Sequence, residues 1–257
     1  MTDPKRWTAL IPAAGRGSRL GFSRPKILYP VAGRMIVEWL LDFLAPNCSS
    51  IVFVLSPDGR SDVEGELEKL IPGRYKTVIQ EVPTGMGDAV DLGLAVVETP
   101  QVAIVWGDQV ALRRSSIEAC LRVQDGPGEP DMTCPTVIRA NPYIHFERDA
   151  AGRICGLRQK REGDQMPAEG ESDTGFFCCR TQQIRALLAE LRALIGTGAG
   201  PRGTATGEFN FLPVIPLAAQ RGGVETPHVM TLEETVGINS ADDVATVEAF
   251  LRAGLHV

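Results

Sequence analysis

The strongest constraint on the fold is an alternation of short apolar runs with segments whose apolar residues recur at helical spacing. The apolar runs predict strands at Thr8–Ala13, Ser50–Leu55, Lys76–Gln80 and Val102–Trp106. Helical segments lie between these runs, and this order is typical of parallel strands joined by crossover helices. The first part of the chain therefore predicts an α/β fold with helices on both faces of a mostly parallel sheet.

The pattern changes after about Asp108, where shorter strand-like runs are separated by polar turns. Residues 159–172 are polar and predict a turn-rich segment, whereas the Gly- and Thr-rich residues 196–207 predict a mobile loop. Ser240 and Asp243 have the spacing of a capping box, which predicts the start of the last helix. The other elements predicted here are helices at Ser115–Arg122 and 184–194 and strands at Ile154–Leu157 and Gly175–Cys179.

Composition and charge exclude several classes of protein. With 257 residues, 44% of them hydrophobic, the chain can fold around a core without support from a metal or a disulfide. Its formal net charge of -6 argues against a protein that binds duplex nucleic acid, whose surface would be basic. No apolar run approaches the roughly 20 residues of a membrane span. Neither nucleic acid nor a membrane is therefore an expected partner.

Cysteines and histidines do not indicate a metal site. None of the six cysteines forms a Cys-x-x-Cys pair, and the three histidines are not placed at zinc-site spacings, so we expect reduced thiols. The chain starts without an extended apolar signal segment, and the expected location is the cytoplasm. Whether the chain is a monomer or a homo-oligomer stays open.

The segment from Ala13 to Lys26 carries the strongest functional signal. The first predicted strand runs into a turn of small residues, here called the glycine turn, which consists of Ala13, Ala14, Gly15, Arg16, Gly17 and Ser18. Backbone N–H groups can surround an anion such as phosphate where side chains are this small. Arg16, Arg19, Arg24 and Lys26 add positive charge to an acidic chain. A tight turn with solvated basic residues is the alternative interpretation.

Two common phosphate-binding motifs do not match the glycine turn. It lacks the Gly-Lys-Ser/Thr ending of a P-loop, and it lacks the third glycine of the dinucleotide fingerprint. The second difference disfavours an NAD-dependent oxidoreductase.

The chain resembles the sugar-phosphate nucleotidyltransferases, especially the uridylyltransferase domain of bacterial N-acetylglucosamine-1-phosphate uridylyltransferase. After the glycine turn, the shared motifs follow in the same order as Pro25-Lys26, Gln80 with Gly85-Met86-Gly87, Trp106-Gly107-Asp108, Asp173-Thr174-Gly175, Gly207-Glu208-Phe209 and Gly237-Ile238-Asn239. The resemblance implies one Rossmann-like three-layer domain over residues 1–257, with a mixed, mostly parallel sheet. Residues 1–110 would form its nucleotide-binding half and residues 111–257 its acceptor-binding half.

The resemblance also implies roles for the charged residues. Nucleotidyl transfer brings negatively charged phosphates together, so the site needs positive charge and hydrogen-bond donors. The glycine turn would hold the triphosphate, with Arg19 at the leaving pyrophosphate and Lys26 near the α-phosphate. In the family, residues at the positions of Asp108 and Asn239 bind a divalent metal, which implies Mg²⁺ as the cofactor.

Base recognition would fall to backbone and amide groups at Ala13, Gly15, Gln80, Gly85 and Met86. The family has Thr where this chain has Met86, and this change removes a hydroxyl group. The resemblance favours UTP as the nucleotide, and CTP stays open as the second choice.

For the acceptor, the resemblance points to Asp173, Thr174, Gly175 and Glu208. Asp173 stands where the N-acetylglucosamine enzymes have Asn, and Ile144 stands where they have Gly, so a different phosphorylated molecule is expected. The basic cluster of Arg158, Lys160 and Arg161 offers cations for an acceptor phosphate or forms a solvated surface run.

The function predicted from the sequence is transfer of a nucleoside monophosphate from a nucleoside triphosphate to a phosphorylated acceptor, foremost a sugar 1-phosphate, with release of pyrophosphate. A cytidylyltransferase acting on a sugar, polyol or phosphonate acceptor is the alternative within this class. A catalytically silent regulatory protein that binds a nucleotide sugar is the alternative from another class.

Overall fold

The computed structural model describes residues 2–195, 203 and 205–254. Its strands are β1 Trp7–Pro12, β2 Pro30–Val31, β3 Arg34–Met35, β4 Ser50–Leu55, β5 Tyr75–Ile79, β6 Gln101–Val105, β7 Met132–Thr133, β8 Thr136–Ala140, β9 Ile144–Arg148, β10 Ile154–Gln159, β11 Glu169–Asp173, β12 Phe176–Arg180 and β13 Val224–Glu225. Its helices are α1 Ile36–Leu44, α2 Arg60–Leu70, α3 Met86–Leu94, α4 Arg114–Gln124, α5 Thr181–Ile195, α6 Val214–Ala219 and α7 Ala241–Arg252. Most of the predicted mobile loop, 196–202 and 204, lies outside the described residues.

A seven-stranded sheet in the order β13-β7-β12-β6-β1-β4-β5 organises the molecule. Strands β6, β1, β4 and β5 are parallel neighbours, and β13 is parallel to β7. Strand β12 runs antiparallel between β6 and β7. The sheet is therefore mixed and mostly parallel, as predicted.

Each face of this sheet has its own hydrophobic core. Along β1, Ala9 and Ile11 join the core beneath α1, α2, α4 and α7, whereas Leu10 joins the core beneath α3, α5 and α6. This alternation follows from the period of two residues in a strand. Complete burial of a side chain such as Leu10 stabilises the folded state by about 1.5–3 kcal/mol. Helices thus cover both faces, and the predicted three-layer arrangement is confirmed.

The parallel strands end at one edge of the sheet, where the sequence places its functional motifs. All four strands predicted in the first part of the chain are present within one residue of the predicted ends. The glycine turn follows β1, and Asp108 follows β6, two adjacent strands. The N–H of Gly107 donates to the carbonyl of Pro12 at 3.3 Å, which ties the two strand ends together.

The second half contains one strand that the turn-rich prediction missed. Residues 169–172 belong to β11, which pairs antiparallel with β8. The polar residue Glu171 concealed this strand, because its side chain is neutralised by Arg148 in the folded chain and not exposed to solvent. The capping box predicted from Ser240 and Asp243 is confirmed at the start of α7.

No helix within the described part of the chain is long and apolar enough to cross a membrane. The six cysteines are free thiols, and Cys155 is the exposed one.

Two helical glycines provide a test of how closely α3 packs on the sheet. A methyl group at Gly93 in α3 would overlap Leu10 and lie 3.0 Å from Val54 Cγ2, whereas Gly65 in α2 has open space around it. Overpacking of a core lowers the free energy of unfolding by about 1–3 kcal/mol. Replacing Gly by Ala in an exposed helix raises it by up to about 1 kcal/mol. We expect Gly93→Ala to lower the free energy of unfolding and Gly65→Ala to raise it, both measured by urea denaturation. Equal effects would contradict the close packing of α3.

Candidate active site

The glycine turn presents free backbone donors. The N–H groups that donate no hydrogen bond to another described residue include those of Ala14, Gly15, Arg16 and Ser18. The carbonyl of Gly15 accepts from the N–H of Lys26 at 3.2 Å, and the carbonyl of Gly17 accepts from the N–H of Phe22 at 3.1 Å. These two hydrogen bonds fold the chain back on itself and bring Lys26 beside the turn. Such a ring of unpaired N–H groups can bind a phosphate.

Lys26, Asp108 and Asn239 meet beside the glycine turn. The Lys26 Nζ lies 2.6 Å from Asp108 Oδ2 and 3.2 Å from Asn239 Oδ1, and Asn239 Nδ2 lies 3.4 Å from the same Asp108 oxygen. The Lys26 and Asp108 side chains are each 18% exposed. Solvent therefore screens their attraction only weakly, and a ligand can still reach both groups. Three separate motifs of the sequence thus converge on one point.

The backbone fixes the positions of Asp108 and Asn239. The carbonyl of Asp108 accepts from the N–H of Ile238 at 3.0 Å, which holds the two motifs side by side. A Cβ at Gly237 would lie 3.1 Å from Asp108 Oδ1, so a small residue is needed there. The Asp243 carboxylate accepts from the N–H of Asn239 at 2.9 Å and caps α7. The start of α7 therefore orients the Asn239 side chain.

A first cavity of about 390 Å³ lies between the glycine turn, the start of α3 and Asp108. The Arg19 side chain lines it and forms no hydrogen bond or ion pair with another described residue. Arg16 and Gly17 line an adjoining recess of about 140 Å³, and Ser18 lines a separate recess with Asp58. The other predicted residues that line the first cavity are Ala13, Ala14, Gly15, Lys26, Gln80, Gly85, Met86, Asp108, Arg161, Glu208 and Asn239.

The turn before α3 is held by Phe209 from the second half of the chain. Gly87 N–H donates to the Phe209 carbonyl at 2.8 Å, and Phe209 N–H donates to the Thr84 carbonyl at 2.9 Å. Gly85 has a φ of 127°, and a Cβ there would overlap the Phe209 backbone. Gln80 Nε2 donates to the Gly85 carbonyl at 3.1 Å. Glycine is thus required at position 85 by this close approach as well as by the backbone conformation.

A second cavity of about 660 Å³ adjoins the first. Both cavities are lined by Met86, Trp106, Asp108, Arg161 and Asn239. The predicted residues Asp173, Thr174 and Gly175 line only the second cavity. Two ligands, one in each cavity, would therefore meet beside Asp108 and Asn239.

Asp173 has an unusual electrostatic environment. Burial raises the pKa of its carboxyl group to about 6, while the hydrogen bond from Gly175 N–H and the charge of Arg139 act in the opposite direction. The Gly175 hydrogen bond to Asp173 Oδ2 is 3.0 Å long. Removing water disfavours the ionised form, and these contacts only partly compensate.

The structure separates the members of the predicted basic cluster. Arg161 lines both cavities and pairs with Glu208 at 2.5 Å. Arg158 pairs instead with Glu147 across the β9–β10 hairpin, and Lys160 is exposed. Arg158 and Lys160 line neither cavity. Their predicted contact with an acceptor phosphate therefore has no support from the structure.

Two further polar residues of the second cavity were missed from the sequence. Gln109 follows Asp108 directly, and this adjacency to a recognised motif was a signal that could have identified it. Arg139 lies on β8 and lines the same cavity. Nothing in the local sequence of Arg139 distinguishes it from a solvated strand residue, because its place depends on the pairing of β8 with β11.

Asp108 and Asn239 are the oxygen donors that could hold a metal. One carboxylate and one carboxamide suit a hard divalent cation that takes its other ligands from water and phosphate. The described residues contain no group of three or more His, Cys, Asp or Glu side chains arranged as a metal site. The donor set therefore fits a cation that arrives with a phosphate ligand.

The pKa of Asp173 predicts a dependence of stability on pH. A folded-state pKa of about 6, above the ordinary 3.8, means that ionisation in the folded chain opposes folding. This penalty is absent at low pH and is complete above about pH 6. We expect Asp173→Asn to raise the free energy of unfolding by about 1–2 kcal/mol more at pH 8 than at pH 4.5. An equal effect at both pH values, in denaturant titrations, would refute the buried carboxyl group.

Solved structures similar to this chain are nucleotidyltransferases. A Bacillus anthracis protein described as a glucose-1-phosphate thymidylyltransferase superposes with a TM-score of 0.72 at 15% identity, covering 96% of this chain and 95% of its own. The inositol-1-phosphate CTP transferase from T. maritima superposes with a TM-score of 0.68 at 18% identity, covering 99% of both chains. At such identities the likeness establishes the shared fold.

Relatives by sequence are bacterial proteins named bifunctional protein GlmU. The protein from Sorangium cellulosum is 28% identical over 97% of this chain and 53% of its own length. The protein from Granulibacter bethesdensis is 29% identical over 99% of this chain and 54% of its own length. The chain thus spans about half the length of these curated relatives.

The sequence profile of one protein family matches residues 9–172, which include the glycine turn, Lys26 and Asp108. The predicted resemblance to sugar-phosphate nucleotidyltransferases is confirmed by this match together with the relatives and the similar structures. The chain belongs to the family of MobA-like NTP transferase domains.

Proposed function

We propose that this protein transfers a nucleoside monophosphate from a nucleoside triphosphate, foremost UTP, to a phosphorylated acceptor, foremost a sugar 1-phosphate, and releases pyrophosphate. One observation carries the proposal. Free backbone amides and Lys26 line the first cavity, and Lys26 contacts the Asp108–Asn239 pair, which lines both cavities. Two phosphorylated ligands could therefore meet at the point where positive charge and oxygen ligands converge.

The reaction needs charge stabilisation more than proton transfer. An acceptor phosphate oxygen attacks the α-phosphorus in line with the departing pyrophosphate, and the phosphate is already ionised near neutral pH. No general base is required. Preorganised donors and cations lower the barrier by stabilising charge that develops in the transition state.

Each cation of the first cavity has a separate part in this proposal. The glycine turn holds the triphosphate through its unpaired N–H groups, and Arg19, which has no partner among the described residues, binds the leaving pyrophosphate. Lys26 stabilises the α-phosphate and the attacking oxygen. Lys26 pairs with Asp108, so the ammonium group must exchange this partner for phosphate oxygens when the substrates bind.

Mg²⁺ is the proposed cofactor, with Asp108 and Asn239 as its protein ligands. When bound, the cation would neutralise phosphate charge and orient the triphosphate. The pair of oxygens supports this choice, because Mg²⁺ keeps several water ligands and uses few protein ligands.

Base recognition is assigned to Gln80, Gly85 and Met86, together with the backbone of Ala13 and Gly15. The resemblance to the uridylyltransferase domain of N-acetylglucosamine-1-phosphate uridylyltransferase favours UTP. The alternative is a cytidylyltransferase that acts on a sugar, polyol or phosphonate acceptor. Two observations support this alternative. A similar structure is a CTP transferase, and Met86 offers no hydroxyl group to a base.

The second cavity is proposed to bind the acceptor through Asp173, Thr174, Gly175 and Arg161, and Glu208, which lines the first cavity, acts on the acceptor side through its ion pair with Arg161. Arg158 and Lys160 are left out of this assignment, because neither side chain lines a cavity. In this proposal residues 1–110 form the nucleotide-binding half of the domain, and residues 111–257 form its acceptor-binding half. A silent binding protein is less well supported, because binding alone requires neither Arg19 nor the metal ligands.

The proposed function is tested by a matrix of substrates. UTP, CTP, ATP and GTP are each combined with glucose 1-phosphate, N-acetylglucosamine 1-phosphate and myo-inositol 1-phosphate, with Mg²⁺ or with EDTA. We expect pyrophosphate release with UTP and a sugar 1-phosphate, in the presence of Mg²⁺ only. Release with CTP alone would select the cytidylyltransferase. Binding of a nucleotide sugar without release in any mixture would favour the regulatory protein.

A variant of Lys26 tests the charge stabilisation. Replacing Lys26 by Ala removes one electrostatic stabiliser, and we expect kcat to fall by at least about 10²-fold. Lys69→Ala is the matched control, because this exposed lysine pairs with Glu66 on α2 and lines neither cavity. Pyrophosphate release by the two variants should therefore differ, and a similar kcat for both would remove Lys26 from the mechanism.

A further inference from the structure

The second cavity is lined by buried polar atoms that have no hydrogen-bond partner among the described residues. Among the described residues, nine side chains bury a nitrogen or oxygen without a hydrogen bond. Three of the nine line this cavity, and they are Gln109, Arg139 and Thr174. A buried polar atom without a partner costs about 1–3 kcal/mol. Three such atoms around one cavity indicate a ligand that supplies the missing hydrogen bonds.

Gln109 defines one requirement of this ligand. Its side chain is buried, with 6% of the residue exposed, and its Oε1 accepts no hydrogen bond. A Cβ at Gly175 would lie 2.6 Å from Gln109 Nε2, so the amide is confined beside Gly175. A carbonyl oxygen accepts only, and the ligand must therefore bring an O–H or N–H group to this position.

Arg139 defines the opposite requirement. Its backbone belongs to the β8–β11 ladder, but its side chain forms no hydrogen bond or ion pair with another described residue, and its Nε is buried. A guanidinium group only donates, so the ligand must present an oxygen that accepts. Thr174, with 1% of the residue exposed, has a hydroxyl group that could take either part.

The charged side chains around the cavity are offset by opposite charges, except Asp243, whose carboxylate accepts backbone hydrogen bonds at the start of α7. Arg139 and Asp173 have opposite signs and act on each other electrostatically. Arg161 is paired with Glu208, Lys26 with Asp108, and Asp243 holds the cap of α7. An added ammonium group would face Arg139, and an added carboxylate would face Asp173. A neutral group with several hydroxyls avoids both costs and can both donate and accept.

We propose that Gln109 and Arg139 are specificity-determining residues that select an acceptor whose group beyond the phosphate is neutral and polyhydroxylated. One hydroxyl group donates to Gln109 Oε1, and the oxygen of another accepts from Arg139 Nε. This inference rests on the proposed function, and it narrows the phosphorylated acceptor to a neutral sugar or cyclic polyol phosphate. Phosphorylated amines and uronic acid phosphates are disfavoured.

The selectivity of the wild-type chain is the first test. Pyrophosphate release is measured with the preferred nucleotide and with glucose 1-phosphate, myo-inositol 1-phosphate, glucosamine 1-phosphate, glucuronic acid 1-phosphate or phosphocholine. We expect kcat/KM for the better of the two neutral acceptors to exceed that for each charged one by at least about 10-fold. A preference for a charged acceptor would overturn this inference and leave the proposed function standing. If none of the acceptors gave pyrophosphate release, both this inference and the proposed function would be overturned.

Variants then test the two residues. Gln109→Met and Arg139→Met keep the approximate size of the side chain and remove its hydrogen-bonding group. We expect KM for the neutral acceptor to rise by at least about 10-fold, while KM for the nucleotide changes by less than about twofold because the first cavity is untouched. Arg153→Met is the matched control, because Arg153 is exposed, pairs with Asp149 and lines neither cavity. Equal KM changes in the Arg139 and Arg153 variants would overturn the assignment of Arg139, and an unchanged KM in the Gln109 variant would overturn that of Gln109.

Thermal unfolding separates selectivity from a structural role. Replacing an unpartnered buried polar group by an apolar one of similar size is nearly neutral or stabilising. Both Met variants should therefore keep or raise the wild-type midpoint of unfolding while KM for the acceptor rises. Lower midpoints of unfolding together with an unchanged KM for the acceptor would show that the two side chains stabilise the fold and do not select the acceptor.

Discussion

The contact among Lys26, Asp108 and Asn239 is the constraint on which the rest of the site depends. It joins residues that are 82 and 131 positions apart along the chain, and each comes from a different element at one edge of the sheet. The ammonium group neutralises the carboxylate and holds the Asp108 and Asn239 oxygens close together. Asp108 and Asn239 line both cavities, and Lys26 contacts them from the first cavity. A ligand that takes over one of these charges therefore acts directly on the other two.

A second connection runs through the backbone of Phe209. This residue from the second half is hydrogen-bonded to both sides of the turn before α3, and its neighbour Glu208 pairs with Arg161. The Glu162 carboxylate holds the same segment through the N–H groups of Ala205 and Thr206 at 3.1 Å. The proposed base-binding turn thus packs against the segment of residues 205–209. Glu208 of this segment pairs with Arg161, which lines both cavities.

Sequence reasoning succeeded where a feature is local and failed where it depends on pairing. Strands β1, β4, β5 and β6 and the cap at Ser240 follow from short apolar runs and side-chain spacing, and the ends of these four strands were predicted within one residue. The convergence of Lys26, Asp108 and Asn239 was reached only through the resemblance, because no local pattern connects such distant residues. Strand β11 was missed, since its polar residues are neutralised by partners elsewhere in the chain. Arg139 was missed because its place in the cavity depends on the pairing of β8 with β11. The role of Arg158 stayed open between a phosphate contact and a solvated surface, because its hairpin partner Glu147 could not be recognised from the sequence.

The most direct measurement is a crystal structure of the chain with Mg²⁺ and a UTP analogue whose α–β bridge cannot be cleaved. The polyphosphate is expected against the free N–H groups of the glycine turn, with Lys26 Nζ on the α-phosphate and Asp108 and Asn239 on the metal. Clear density for the polyphosphate far from residues 13–26, with Lys26 still paired to Asp108, would contradict the assignment of the site.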